Sequence, residues 1–153
     1  MTRILLAVDG TDLDHRVAST AHEIFGDAAE YLAVNVADSH VATSATMPVP
    51  YGVVYPYAPH GAVDAGPSDT ERLARAEDLA RRIAEEIGVD DVEAIGDLGD
   101  PAVAIVGAAE RHGVDVIVVG SHERSWLSRL VSPSVSSEVL SGSTIPVMVI
   151  KAP

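Results

Sequence analysis

The 153 residues carry 23 acids against 10 bases, a formal net charge of −13, with Lys151 as the only lysine and no cysteine. One domain's worth of chain can bury a core without covalent staples, and disulfides, thiolate chemistry and cysteine-based zinc sites are excluded. The field of such a chain repels a phosphate backbone, which argues against nucleic-acid binding.

Taken in chain order, Arg3 to Val8 is a nearly continuous apolar run ending at Asp9-Gly10, the pattern of a strand buried on both faces. Leu13, Val17, Ala21 and Ile24 recur at helical spacing, with Thr11 or Asp12 as N-cap and Gly26 just past the end. Tyr31 to Val36 reads as a second strand. Ser68-Asp69-Thr70-Glu71 has the form of a capping box opening a helix that carries Leu73, Ala76, Ala80, Ile83 and Ile87 and stops at Gly88. Val92 to Ile95 reads as a third strand. Asp100-Pro101 supplies an N-cap and a proline at the first helical position for a helix ending near Gly113. Asp115 to Val119 is the fourth strand, Ser132-Pro133 repeats the cap-and-proline device for a last helix, and Pro146 to Ile150 is the fifth strand.

Strands alternating with helices in this way imply a single doubly wound α/β domain over residues 1–153, with a parallel sheet, right-handed crossovers and helices on both faces. The departure is Asp38 to Pro67, which holds five of the nine prolines and three of the four tyrosines, Tyr51, Tyr55 and Tyr57, without clear periodicity. Such a stretch reads as a variable insertion over the sheet edge, or as a lid or partner-binding segment.

The apolar run at the start is too short for a signal peptide and ends in an acid, and no stretch approaches the roughly 18 apolar residues of a membrane span. A cytoplasmic protein without membrane contact is the expectation, and the cysteine count fits a reducing compartment. An acid-rich, lysine-poor and aromatic-poor composition is that expected of a protein working in concentrated salt, a halophilic character, with an ordinary acidic cytosolic protein as the alternative.

Two turns focus attention on one place. Ala7-Val8-Asp9-Gly10-Thr11 and Val118-Val119-Gly120-Ser121-His122 each follow a short apolar strand. If those strands are neighbours, both turns open into one crevice at the carboxyl edge of the sheet, where folds of this type bind ligands.

The opening Ile4-Leu5-Leu6-Ala7-Val8-Asp9-Gly10-Thr11, the Gly99-Asp100-Pro101 turn, the Val114 to Ser121 run and the closing Ile145 to Ile150 together resemble the universal stress protein (UspA) family over nearly the whole chain. The resemblance implies strand order 3-2-1-4-5, which places the first and fourth strands side by side. It also implies a homodimer through the last strand (146–150), whose apolar Val147-Met148-Val149-Ile150 run would otherwise be an open edge.

Nucleotide-binding members of that family carry a loop of the form G-x2-G-x9-G-[ST] after the fourth strand, whose amides and following helix N-terminus hold phosphates. Here Gly120 and Ser121 are kept, but Glu123 and Pro133 stand at the second and third glycine positions, with Ser134 and Val135 following. Glu123 brings a side chain and a repelling charge, and Pro133 has no N–H to offer. Arg124 and Arg129 offset that charge in part. The resemblance further maps Asp9 to the ribose side of a nucleotide and Val36 to a backbone contact with the base. The bland reading of Asp9 is an acid that orders the turn after its strand.

The candidate nucleotide-binding residues are therefore Val8, Asp9, Val36, Gly120, Ser121, His122, Ser134, Val135 and Ser136, in a partly degraded crevice for ATP or AMP. His122 is weighed as a phosphate contact against a solvated loop residue. His15, His22, His40, His60 and His112 show no metal-ligand spacing, and Trp126 reads as an apolar anchor for its loop. No general base or metal cluster points to catalysis, so ATP hydrolysis is expected to be slow at most. The alternative to a nucleotide-responsive stress module is a dimeric interaction module, without nucleotide, that acts on a protein partner through its surface and the 38–67 segment.

Overall fold

The computed structural model describes residues 1–37, 67–87, 92–121 and 134–152. Five strands, β1 (Arg3–Ala7), β2 (Glu30–Ala37), β3 (Glu93–Leu98), β4 (Val116–Ser121) and β5 (Val147–Lys151), alternate with four helices. The helices are α1 (Leu13–Phe25), α2 (Asp69–Ile87), α3 (Pro101–His112) and α4 (Val135–Gly142). All neighbouring strands are parallel, in the order β3-β2-β1-β4-β5.

Alternation along the strands sorts the core into two layers. Ile4, Leu6, Tyr31, Ala33 and Val118 pack with Val17 and Ala21 of α1 and Ala80 and Ile83 of α2 on one face. Leu5, Leu32, Val34, Ile117 and Val119 pack with Ala102, Ile105 and Ala108 of α3 and Val139 of α4 on the other. The central strands are apolar at nearly every position because both of their faces are covered.

Local chemistry sets several helix ends. The Asp100 carboxylate accepts from the Val103 amide at 3.0 Å, with Pro101 at the first helical position, and Gly113 ends α3 in the left-handed conformation at φ 59°. The Ser68–Glu71 capping box forms in both directions: Glu71 accepts from the Ser68 amide at 2.8 Å, and Ser68 Oγ from the Glu71 amide at 3.3 Å.

Four expectations change. Ile24 of α1 is 57% exposed instead of facing the core; the N-cap of that helix is Asp12, as read from the sequence, without a side-chain capping bond. β3 runs on to Leu98, since Asn35 and Val36 of β2 pair with Gly96 and Asp97. β4 runs on through Gly120 and Ser121, which pair with Ile150 and Lys151 of β5, so these two residues belong to a strand and not to a turn. Finally, α4 is capped by Ser134, whose side chain accepts from the Ser137 amide, and its first residue is Val135. Gly88, Ser132, Pro133 and the irregular 38–66 stretch lie outside the described residues.

Candidate functional site

The register of the three central strands builds the site. Ala7 of β1 lies level with Val34 of β2 on one side and Val119 of β4 on the other, so the chain leaves all three strands at one edge. Just beyond that edge is a cavity of about 210 Å³. Ala7, Val8 and Asp9 form its floor with Val34, Asn35 and Val36 from β2 and Val119 and Gly120 from β4; Leu13 and Asp14 close it from α1, Pro101 and Ile105 from α3, and Val135 and Ser136 from α4.

Of the candidates read from the sequence, Val8, Asp9, Val36, Gly120, Val135 and Ser136 share this cavity. Ser121 does not line it, because it continues β4 beside Lys151. Ser134 does not line it either; as the cap of α4 its Oγ sits 3.1 Å from Ser136 Oγ, one step behind the wall. His122, Glu123, Arg124, Trp126, Arg129 and Pro133 lie outside the described residues.

Asp9 is exposed and ordered by its own turn: Oδ1 accepts from the Thr11 amide at 3.0 Å and from the Thr11 hydroxyl at 2.6 Å. This is the local role an acid plays after a strand. It leaves the carboxylate on the cavity wall, where paired hydroxyls would find an acceptor. Gly120 has a packing reason to be glycine. A Cβ at that position would stand 2.6 Å from Leu13 Cδ2 and 3.0 Å from Leu13 Cγ, so the Leu13 side chain of α1 would have to shift to admit it. At the start of α4, Ser134 O and Oγ take the Ser137 amide, at 2.8 and 3.3 Å, and Ser134 O also takes the Glu138 amide. The amides of Val135 and Ser136, in the first turn of α4, have no intrahelical acceptor and sit beside the cavity.

Two polar lining residues escaped the sequence reading. Asn35 is 9% exposed and its Nδ2 donates to the Val8 carbonyl at 2.7 Å, tying the end of β2 to the end of β1. Its signal was an amide inside an otherwise apolar strand. Asp14 is 5% exposed, and its carboxylate accepts from the Gly10 amide at 2.7 Å and from the Asp9 amide at 3.2 Å. Burial pushes its pKa up from 3.8 to about 6 against the opposing pull of those two amides, and the neighbouring Asp9 carboxylate adds to the rise. Its signal was an acid in the first turn of a helix that follows an Asp-Gly turn. Among the described residues no cluster of three or more histidines and acids is placed to hold a metal ion, and no helix is long and apolar enough to cross a membrane.

The model of the Universal stress protein family matches residues 1–151. The chain belongs to the universal stress protein family. Universal stress protein YxiE of Bacillus subtilis (strain 168) is 30% identical over 151 residues, covering 97% of this chain and 98% of the relative. Among solved structures, a universal stress protein in complex with cAMP superposes with a TM-score of 0.63 at 19% identity, over 98% of this chain and 96% of that one. A universal stress protein family protein from Arabidopsis thaliana with AMP bound gives a TM-score of 0.60 at 20% identity, over 100% and 93% of the two chains. At these identities the solved structures speak to the fold alone.

Proposed function

We propose that the chain is a stress-response module, acting in the cytoplasm as a binding protein and not as a dedicated enzyme, whose crevice between β1 and β4 holds an adenine nucleotide of the monophosphate class. The observation that carries this reading is one cavity lined by Asp9, Val36, Gly120 and the open first turn of α4. An acceptor for ribose hydroxyls and a pair of amides with a helix dipole for a phosphate then stand at opposite walls. Solved members of the family hold cAMP and AMP. A monophosphate is favoured over ATP because Glu123 and Pro133 replace two loop glycines, and a second and third phosphate would rely on that loop's amides. The edge position of β5, with Val147, Met148, Val149 and Ile150 in one run, supports a two-fold homodimer through that strand.

A second reading is favoured by specific contacts. Asp9 already serves Thr11, and Gly120 already serves the α1 packing, so both hallmark residues have structural employment without a ligand. On that reading the domain is a dimeric interaction module that contacts a protein partner. Intact-complex mass spectrometry of gently purified protein, followed by calorimetry with AMP, cAMP and ATP in high salt, separates the two. Co-purified adenine nucleotide or a monophosphate affinity exceeding that for ATP supports the first. No nucleotide and no heat with any of the three leaves the second.

A further inference from the structure

Asp14 is the most deeply buried acid of the crevice, and its bonds run to the chain segment that carries Asp9. One oxygen takes the Gly10 amide at 2.7 Å, and both oxygens lie 3.2 Å from the Asp9 amide. Gly10 holds φ 83°, so the chain reverses here on a residue whose amide is tied to Asp14. A side chain from the first turn of α1 thus holds the turn after β1 by its backbone, and with it the direction of the Asp9 carboxylate.

The side chain is also a partition. On one side is the crevice; on the other is a hollow of about 300 Å³ between the β1–α1 turn and α2, lined by Asp14 with Asp12, His15, Leu79 and Arg82. The charged and titratable groups around Asp14 are therefore Asp9 from the turn, Asp12 and His15 from its own end of α1, and Arg82 from α2. Among the described residues, the other walls of the crevice, from β2, β4, α3 and α4, offer uncharged residues, among them Asn35, Gly120, Ile105 and Ser136.

A buried carboxylate in that position faces two ways. Ionised, it accepts both amides, but it adds its charge to that of Asp9 in a cavity where a phosphate would add more. Protonated, it keeps one oxygen for the Gly10 amide and has a proton to give to the Asp9 carboxylate. Bringing an anion into the crevice therefore favours the protonated form, and by reciprocity the protonated form favours the anion.

We propose that Asp14 is the positioning residue of the crevice, holding the Asp9–Gly10 turn by its carboxylate, and that an anionic ligand enters the crevice together with one proton taken up at Asp14. The uptake rests on the proposed nucleotide reading; the positioning does not. Asp14 gains a proton in the range set by its burial, near 6, so the linkage acts across the mildly acidic to neutral range.

The test has two arms. In the first, the free wild-type protein is titrated by NMR, following the Asp14 carboxyl carbon and the Gly10 and Asp9 amides. The expected result is a common midpoint near that of Asp14, with Asp14→Asn showing flat amides. Amides that stay flat in the wild type overturn the positioning role without any variant having to fold. In the second arm, calorimetry with cAMP in two buffers of different ionisation heat counts protons; cAMP is chosen because its phosphodiester does not titrate here, unlike a monoester with its second pKa of about 6. The expected result is uptake of up to one proton and an affinity about fivefold higher at about pH 5.5 than at about pH 7.5, both lost in Asp14→Asn. Binding without proton uptake overturns the linkage. If cAMP, AMP and ATP all fail to bind, the nucleotide reading and the linkage fall together, while a titrating Gly10 amide still sustains the positioning role.

Discussion

Gly120→Ala separates two explanations of the first glycine of the phosphate-loop pattern. On the packing explanation, the added methyl meets Leu13 Cδ2 at 2.6 Å, Leu13 Cγ at 3.0 Å and Val17 Cγ2 at 3.3 Å, against an ordinary contact of 3.4–4 Å. Leu13 must then withdraw by most of an ångström. Both side chains belong to the core face of α1, at 5% and 0% exposure, so neither has solvent to move into. Leu13 also borders the crevice, however, and that space absorbs part of the displacement. Overpacking in a filled core costs about 1–3 kcal/mol, and replacing a glycine recovers about 0.4–1 kcal/mol from the unfolded chain. With relief available on one side, a net loss of about 1–2 kcal/mol is expected. Urea unfolding of the ligand-free protein measures it, and Leu13→Ala combined with Gly120→Ala should recover part of the Gly120→Ala loss, because the shortened side chain no longer meets the methyl. An unchanged midpoint for Gly120→Ala, with nucleotide binding abolished, would refute the packing argument and assign the glycine to the ligand alone.

Other outcomes follow from the same contacts. The Asp14 carboxyl is raised from 3.8 to about 6 in the folded protein, so its contribution to stability is complete below 3.8 and is lost as pH rises through about 6. That shift corresponds to about 3 kcal/mol, and Asp14→Asn should gain on the wild type by that order across the interval in urea melts at successive pH values; parallel curves would contradict it. Asn35→Ala removes the donor to the Val8 carbonyl and is expected to cost about 1–3 kcal/mol, read by thermal unfolding, with hydrogen exchange quickening at the ends of β1 and β2 before elsewhere. Asp100→Ala removes the cap on the Val103 amide and should cost about 1 kcal/mol, with Asp100→Ser restoring most of it.

What the sequence disclosed follows from how local each signal is. The caps at Ser68–Glu71 and Asp100-Pro101 are legible because the whole bond lies within four residues. The continuous apolar runs of β1 and β4 announce strands covered on both faces, and the order 3-2-1-4-5 came through the family resemblance. Strand ends were less legible. Gly96, Asp97, Gly120 and Ser121 are poor strand formers by composition, and they are strand because Asn35, Val36, Ile150 and Lys151 pair with them. Gly96 shows how far such a residue answers to tertiary demands: a Cβ there would stand 2.5 Å from the Leu73 carbonyl oxygen of α2. The same holds for Ser132-Pro133, which has the composition of a helix start while the bonds that cap α4 are made by Ser134, two residues on.

The crevice divides along the same line. Asp9 and Gly120 could be named because each closes a readable strand and matches the family resemblance, whereas Val36, Val135 and Ser136 were named through that resemblance alone. Asp14 and Asn35 could not, since each is polar for a reason visible only across elements: Asn35 reaches from β2 to the Val8 carbonyl, and Asp14 from α1 to two amides of the preceding turn. Those bonds also decide which groups a ligand would meet. The backbone of the β1–α1 turn is already committed, to Asp14 at Asp9 and Gly10 and to Asp9 at Thr11. Among the described residues, the first turn of α4 brings Val135 and Ser136 to the crevice, with amides that have no intrahelical acceptor. A ligand that is anionic at one end and rich in hydroxyls at the other matches that division, whereas an anion placed against Asp9 would face two carboxylates with their amides already spent. The polarity of the crevice is thus set from both sides, by a helix start whose first amides have no intrahelical acceptor and a turn whose Asp9, Gly10 and Thr11 amides are already bonded.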